Sequence, residues 1–504
     1  MMKLRDILKG IEFDASDKAL ALNIDKVTCD SRLVEKGSLF IAFRGYDSDG
    51  AKFIQSAIAN GAAAVVTEKK VKPFSGAEHI VVRDTRSAVP VIAGNFYEHP
   101  SYRLKMIGIT GTNGKTSITY ILESILKKAG ICPGVIGTVN YRFRDTVLTA
   151  KNTTPGPLEL QSVLNDMVND GVECTVMEVS SHSLDQNRVE GISFDAAIFT
   201  NVTQDHLDYH KTIKSYFCAK AKLLGKIKEK GTAILNDDDA MIRTLKKEFK
   251  GHILTYGLNG GADIRAENVT LSLDGSSFTA VTPKNRFDVK TSLIGRHNVS
   301  NILAAIASAY LLKISVDDIA AGIGSVEPPP GRLEPVVEGQ PFKVFVDFAH
   351  TEDALNNVLG LLRGSGVTGR IIVVFGCGGN RDRAKRPLMG KAACKFSDMA
   401  IITSDNPRFE EPMDIIKEIE SGVKGLFSNY AVVADRREAI ETALNEAGEG
   451  DIVMIAGKGH EKYQIIKDKV MPFDDCKVAR DILRKRKNES KGDSRSGSRK
   501  ACIG

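Results

Sequence analysis

The sequence predicts an α/β protein of three domains, the central one built on a mainly parallel sheet. Three observations carry this reading. Apolar, strand-like runs alternate with segments of helical period along most of the chain, the pattern that parallel βαβ units produce. A glycine-rich turn, Gly111-Thr112-Asn113-Gly114, joins one of those runs to a helix. The chain has 504 residues, enough for about three domains at roughly 150 residues each, and turn-rich breaks divide it accordingly.

Residues 1–102 form the first, smaller α/β region. It has strand-like runs at 27–29, 39–42, 63–66 and 80–82, a helical pattern at 51–59, and an exit at Asn95-Phe-Tyr-Glu-His-Pro100. The second region, 103–332, has strands at 105–110, 175–179, 196–201 and 232–235, with helices at 116–129, 158–170 and 213–229. In the first of these helices Ile118, Ile121, Leu122, Ile125 and Leu126 share one face. Lys127 and Lys128 suit its negative end, and Gly130 stops it. The stiff segment Glu327-Pro-Pro-Pro-Gly-Arg332 closes the region. In the third, 333–484, strands at 344–346, 370–375, 399–403 and 451–456 alternate with helices at 351–363, 384–396, 413–424 and 437–447. That is a second doubly wound, Rossmann-like unit, whose ligands bind beyond the carboxyl ends of its strands. Residues 485–504 are basic and lack apolar period, so a disordered tail is expected.

Composition narrows the function. Hydrophobic residues make up 42% and charged residues 26%, ordinary for soluble globular protein. No apolar run approaches the roughly 20 residues of a membrane span, and Met1–Gly10 carries charge without an apolar signal core. The eight cysteines are scattered without a CxxC pair, as expected of reduced thiols in the cytoplasm and not of a zinc site or disulfide framework. The net charge of +6 comes partly from the tail. That tail is either a solvated appendage or a contact for nucleic acid or anionic lipid. No aromatic residues interleave with its charges to make a stacking surface. The expectation is a monomer with small-molecule partners, no nucleic acid and no membrane span.

The chemistry starts at Gly111-Thr112-Asn113-Gly114-Lys115-Thr116. Glycines let backbone N–H groups approach phosphates, Lys115 supplies positive charge and the Thr116 hydroxyl can ligate Mg²⁺. The loop is a variant, because Ile109 stands where the usual form has glycine. Glu178 ends a strand and leads into Ser180-Ser181-His182; a carboxylate there requires a partner, and Mg²⁺ would provide one. Asn201-Val-Thr-Gln-Asp205-His206-Leu-Asp208 ends the next strand, where His206 is either a ligand of a second cation or a surface histidine beside a capping aspartate. Lys220 and Lys222 read from the pattern alone as exposed helix lysines. Arg332 suits a transferring phosphoryl group and Asp347 could orient a ribose or Lys115, or each could be a polar contact between domains. In the third region Gly376–Arg383, Asp405-Asn406-Pro407-Arg408 and Gly457-Lys-Gly-His-Glu461 each follow a strand. They are either unrelated turns or one composite cleft, in which Arg381 and Arg408 clamp a carboxylate and Glu461 takes an ammonium group.

Taken together, Gly111–Thr116, Glu178-Val-Ser-Ser-His182, Asn201–Asp208, Asp347-Phe-Ala-His350 and Gly457–Glu461 resemble the Mur ligases, ATP-dependent amide ligases of peptidoglycan precursor synthesis. The resemblance runs in order from about residue 20 to 480 and is strongest to the ligases that add the third residue. It implies an N-terminal UDP-sugar domain, a central P-loop ATPase and a C-terminal Rossmann-like domain. It implies that ATP phosphorylates a carboxylate of UDP-MurNAc-L-Ala-D-Glu and that an amino acid's amine then displaces the phosphate.

On that resemblance Gly111, Thr112, Asn113, Gly114, Lys115, Thr116, Ser117, Asn298 and Arg332 hold ATP. Lys115, Glu178, His206, Lys220, Arg332 and Asp347 are catalytic. Thr116, Glu178, His206 and Lys220 serve Mg²⁺, Lys220 as a carbamate. Ser31, Asn152, Thr153, Thr154, Ser180, Gln186 and Arg188 contact the UDP-sugar peptide. Arg381, Asp405, Asn406, Pro407, Arg408, Gly457 and Glu461 take meso-diaminopimelate. Lysine-adding relatives lack the arginine of the Asp405–Arg408 turn, whose guanidinium would pair with the distal carboxylate. One departure from the family pattern is Tyr46-Asp47-Ser48. Folylpolyglutamate synthase shares the ATPase logic but would need neither the UDP domain nor the Asp405–Arg408 turn, and a scaffold that had lost catalysis would not need the charged set.

Overall fold

The computed structural model describes residues 1–43, 49–69 and 76–497; Tyr46-Asp47-Ser48 lies outside the described residues. Three sheets follow one another along the chain. The first has the order Phe13–Asp14, Glu78–Val82, Ala62–Thr67, Ser38–Ile41, Lys26–Thr28, parallel except for the antiparallel edge Phe13–Asp14. Its alternating side chains feed two small cores, one around Leu39, Ile41, Val66 and Ile80 and the other around Phe40 and Val65.

The second sheet has eleven strands. Its middle is parallel, with Lys105–Thr110 between Cys174–Glu178 and Phe194–Phe199. Period-2 alternation splits these strands between two faces. Ile107, Ile109, Val176 and Ile198 pack with Ile118, Ile121 and Ile125 of the helix Lys115–Lys128 and with Ile302 and Ile306 of the helix Arg296–Leu311. Met106, Met177 and Phe199 pack the other way, with Leu160 and Leu164 of the helix Pro157–Asn169. Antiparallel strands flank the parallel ones: Asn140–Phe143 with Thr146–Thr149 on one side, and Ile264–Ser272, Gly275–Val281 and Arg286–Thr291 on the other. The second group escapes a strand reading of the sequence, because its half-exposed faces carry Lys, Asp and Glu. The helix expected over 213–229 ends at Ala221, runs through a tighter turn over Lys222–Lys226, and becomes the strand Ile227–Asn236.

The third sheet runs Glu334–Pro335, Lys343–Asp347, Ile452–Ala456, Ile371–Phe375, Met399–Ile402, Tyr430–Val432. It is parallel apart from the first, two-residue edge, with a core on each face. The helix Asp475–Gly497 packs on it through Val478, Ala479, Ile482 and Leu483. That helix carries past Arg484 into the segment expected to be disordered: once the apolar turn is anchored, the following Lys and Arg residues, good helix formers, propagate it. No helix among the described residues is long and apolar enough to cross a membrane.

The fully buried Arg436–Asp475 pair fastens that helix. The guanidinium donates to both carboxylate oxygens, at 2.8 and 2.7 Å, and to the Ala456 carbonyl at 3.0 Å. Removing one partner strands the other charge, so Asp475→Ala is expected to lower unfolding stability by about 3–5 kcal/mol. Chemical denaturation beside the surface variant Asp414→Ala checks this; equal midpoints for the two would contradict it.

Candidate active site

The carboxyl ends of the three middle strands of the central sheet deliver one polar edge. Gly111 (φ 149°) and Gly114 (φ 91°) bend the chain from strand to helix. Side chains could not replace them: a Cβ at Gly111 would meet the Thr200 hydroxyl and one at Gly114 the Asn301 amide. The turn is tied from the neighbouring strand's end, where Asn201 Oδ1 accepts the Asn113 N–H at 2.9 Å and Thr200 Oγ1 donates to the Asn113 carbonyl at 2.7 Å. Lys115 Nζ folds back onto the carbonyls of Gly111 and Thr112, both at 2.8 Å. Burial lowers its pKa, against the pull of Glu178 and Asp205.

Glu178 is 1% exposed. Its carboxylate accepts Thr116 Oγ1 at 3.0 Å, the Thr138 N–H at 3.0 Å and Thr138 Oγ1 at 2.9 Å. A Cβ at Gly137 would press on this carboxylate and force it to shift. From Glu178 the network continues into the cluster expected to hold a sugar peptide. Thr153 Oγ1 meets Thr138 Oγ1 at 3.0 Å, and Thr154 Oγ1 donates to the Glu178 carbonyl at 2.8 Å and accepts the Ser180 N–H at 3.1 Å. Arg188 donates to Gln186 Oε1 and to the Thr154 carbonyl, and the Asn152 carbonyl accepts Tyr141 Oη. Ser31 is apart from these, in the N-terminal domain, where its carbonyl accepts Asn60 Nδ2. Its neighbour Asp30 is brought down to about 2, mainly by Arg32, with Lys151 adding to the effect.

Lys220 is not the exposed lysine its pattern suggests. It is 1% exposed, donates to the Gly111 carbonyl at 2.8 Å and lies 4.2 Å from the centre of the Tyr216 ring. Burial, with Lys115 beside it, takes its pKa well below that of a free lysine. Lys222, two residues on, is half-exposed and pairs with Asp185 at 2.8 Å. Among the described residues no ready-made cluster of three or more His, Cys, Asp or Glu is poised to hold a metal. Thr116 and Glu178 nevertheless form an oxygen donor pair at the end of the turn, which suits a hard cation. His206 sits in the left-handed region (φ 54°), 3.4 Å from Asp205, with its ring 4.8 Å from that of His182. Burial lowers the His206 pKa and takes that of His182 down to about 4, so both rings are neutral at pH 7.

Asn298 and Asn301 bond to each other at 3.2 Å beneath the turn. Asp347 does not orient Lys115: its oxygens accept the N–H groups of Leu333 and Ala349, at 2.7 and 2.8 Å, clasping the linker. Burial raises its pKa, with Arg332 opposing. Arg332 lies over the Phe348 ring, and its buried Nε has no hydrogen-bond partner. Across the gap, Asp353 of the helix Glu352–Gly364 accepts Asn113 Nδ2 at 3.3 Å and Thr203 Oγ1 at 3.2 Å, so the third domain touches the glycine turn directly.

The three turns of the third region do meet in one cleft. It has a volume of about 470 Å³ and is lined by Asp205, His206 and His182 from the central domain and by Arg381, Asp405, Asn406, Arg408, Gly457 and Glu461 from the third. Arg408 has φ 52°. Its guanidinium donates to the Gly379 carbonyl at 2.9 Å, while its N–H and carbonyl bond Ile465 and Lys467 of the hairpin Tyr463–Pro472. Pro407 shapes the backbone between Asn406 and Arg408; its carbonyl packs so closely on Gly379 that a Cβ there could not fit. Two residues in these networks escaped the sequence reading: Thr138 and Asp353. No local pattern marks them, since each acts on a partner distant in sequence.

Comparison with known proteins identifies the family. The family model described as "Mur ligase middle domain" matches residues 109–309, "Mur ligase, glutamate ligase domain" matches 331–459, and "Mur ligase family, catalytic domain" matches 23–97. The chain is 42% identical over 482 residues to the UDP-N-acetylmuramoyl-L-alanyl-D-glutamate--2,6-diaminopimelate ligase of Caldanaerobacter subterraneus, covering 96% of this chain and 99% of the relative. It is 45% identical over 464 residues to the ligase of the same name from Geobacillus kaustophilus, covering 91% and 94%. A solved structure of a ligase with that name superposes with a TM-score of 0.68 at 33% identity, covering 96% of this chain and 99% of the other. With all three domains matched, and in the same order, this chain belongs to the Mur ligase family.

Proposed function

We propose that this protein joins meso-2,6-diaminopimelate to UDP-MurNAc-L-Ala-D-Glu with ATP, the reaction named for the relatives at 42–45% identity, and that it does so as a cytoplasmic monomer. The observation that carries this reading is the single cleft lined by Asp205 and His206 on one side and by Arg381, Arg408 and Glu461 on the other. The end of the strand segment beside the glycine turn and a site of mixed charge, suited to a zwitterion, thus line one space. We place the working units at residues 1–102, 103–332 and 333–484.

In this reading the turn Gly111–Thr116, with Ser117 behind it, cradles the ATP phosphates at a helix N-terminus, and Asn298 and Arg332 contact the nucleotide. Lys115 swings from its carbonyls to the phosphates. Asn152, Thr153, Thr154, Ser180, Gln186 and Arg188 hold the peptide end of the UDP substrate, and Ser31 its uridine. The substrate carboxylate takes the γ-phosphoryl group, forming an acyl phosphate and ADP. The diaminopimelate amine, as the free base, attacks the acyl carbon, and the tetrahedral intermediate collapses to the amide with phosphate leaving. The residues supply positioning and charge neutralisation, which dominate such transfers. Asp347 keeps the linker and Arg332 in place.

Thr116 and Glu178 would hold Mg²⁺, with His206 the further ligand in this reading, and the ion when bound would neutralise phosphate charge. Lys220 would complete the donor set as a carbamate. Its lowered pKa favours the neutral amine, whose lone pair would add to the carbon of CO₂; one proton leaves, and a buried neutral amine becomes a buried carboxylate. Arg408 and Arg381 take the distal carboxylate of diaminopimelate, with Asp405, Asn406, Gly457 and Glu461 around its amino group. A folate-type ligase would need neither the first domain nor this turn.

Phosphate release from ATP is expected to require both the UDP substrate and meso-diaminopimelate, with L-lysine supporting little. Turnover with lysine would keep the ligase and remove the Arg408 argument; silence with both would point to folate substrates. Lys220→Ala is expected to lose at least about 100-fold in kcat and to recover partly with an added short carboxylate. An absence of rescue would count against the carbamate. Arg408→Ala is expected to lower kcat/KM for diaminopimelate by about 100-fold or more while ATP binding, followed by calorimetry, is unchanged.

A further inference from the structure

Lys458 carries a role that neither the motif reading nor the proposed chemistry assigns. It follows the strand Ile452–Ala456 and is 0% exposed. A lysine without solvent must be matched by acceptors, and both of its acceptors belong to the cleft. Its Nζ donates to Asn406 Oδ1 at 3.0 Å and stands 3.4 Å from Glu461 Oε2.

This settles which way Asn406 faces. An ammonium and a backbone N–H only donate. Oδ1 must therefore be the atom that meets Lys458 and also accepts the Ile465 N–H at 3.0 Å. The amide nitrogen is then turned to Glu461 Oε2, at 2.8 Å. Glu461 Oε2 thus has two donors, and among the described residues its other oxygen accepts no hydrogen bond, while the residue lines the cleft. Burial raises the Glu461 pKa, with Asp405 adding to the effect; Lys458 and Asn406 oppose it.

We infer that Lys458 is the positioning residue of the amino-acid site: it locks Asn406 and one oxygen of Glu461 so that the other oxygen is presented to the ammonium group of a zwitterionic substrate. The inference rests on the cleft being the diaminopimelate site proposed above. It makes Asn406 and Glu461 one rigid unit, organised by a cation that never touches substrate.

Steady-state kinetics on the full-length protein tests it. Lys458→Met is expected to raise KM for meso-diaminopimelate by about 10- to 100-fold, with KM for ATP and for the UDP substrate unchanged. Lys458→Arg should restore most of the loss. In a double-mutant cycle, Lys458→Met added to Glu461→Gln should cost no more than about 2-fold further, because both act through one carboxylate. Should Lys458→Met melt early, Lys458→Ala with added propylammonium provides the same readout, KM falling as the amine fills the space. An unchanged KM, or full additivity with Glu461→Gln, would overturn the inference. Wild-type protein inactive with diaminopimelate would instead overturn the functional reading beneath it.

Discussion

Charge carried out of water at the carboxyl edge of a parallel sheet is the constraint on which the rest of this molecule depends. Glu178 and Lys220 are each 1% exposed and both bond the glycine turn, Glu178 at Thr116 and Lys220 at Gly111. An unsatisfied buried charge costs several kcal/mol or more, so every lone pair and proton must find a partner. Glu178 therefore collects Thr116 and Thr138 from two different loops, and Thr138 in turn collects Thr153. The loops carrying the candidate sugar-peptide contacts are thus gathered by the carboxylate that would also serve the metal. Lys220 and Lys115 share the Gly111 carbonyl, which brings two buried amino groups together beside the glycine turn, Lys115 lowering the tendency of Lys220 to hold a proton.

The third domain solves the same problem with other residues. Arg386, fully buried, bonds Glu410, Glu418 and the Gly378 carbonyl, tying the turn that carries Arg381 to the turn that carries Arg408. Arg436 with Asp475 and Lys458 with Asn406 and Glu461 repeat the device. Such pairs add little net stability compared with apolar packing but fix geometry where they are fully satisfied. In this fold they stand behind the three turns of the cleft, where a misplaced guanidinium would lose selectivity.

Contacts between the central and third domains are both polar and apolar, Ile294 and Leu273 packing into the third-domain core and Lys343 pairing with Asp274. Asp353 reaches Asn113 and Thr203, Asp347 clasps the linker, and Arg332 lies on Phe348.

Much of this was legible in the residues alone. The strand Lys105–Thr110 and its helix followed from periodicity, and the strand and helix alternation of the third region from composition, because buried parallel strands are short apolar runs and their helices amphipathic. The glycine turn and the three cleft turns were visible as motifs, since backbone approach and bidentate recognition demand particular residue types. Tertiary structure alone decided what depends on distant partners. Lys220 and Lys222 are alike in sequence, and only packing buries the first under Gly111 and leaves the second with Asp185. The same holds for the Thr138 bond to Glu178, the clasp of Asp347, the strand Ile264–Ser272 and the edge strand Arg286–Thr291, and the union of three turns in one cleft. Local sequence sets the conformation a segment prefers; desolvation, which turns a lysine or glutamate into a site, exists only once the rest of the chain has closed over it.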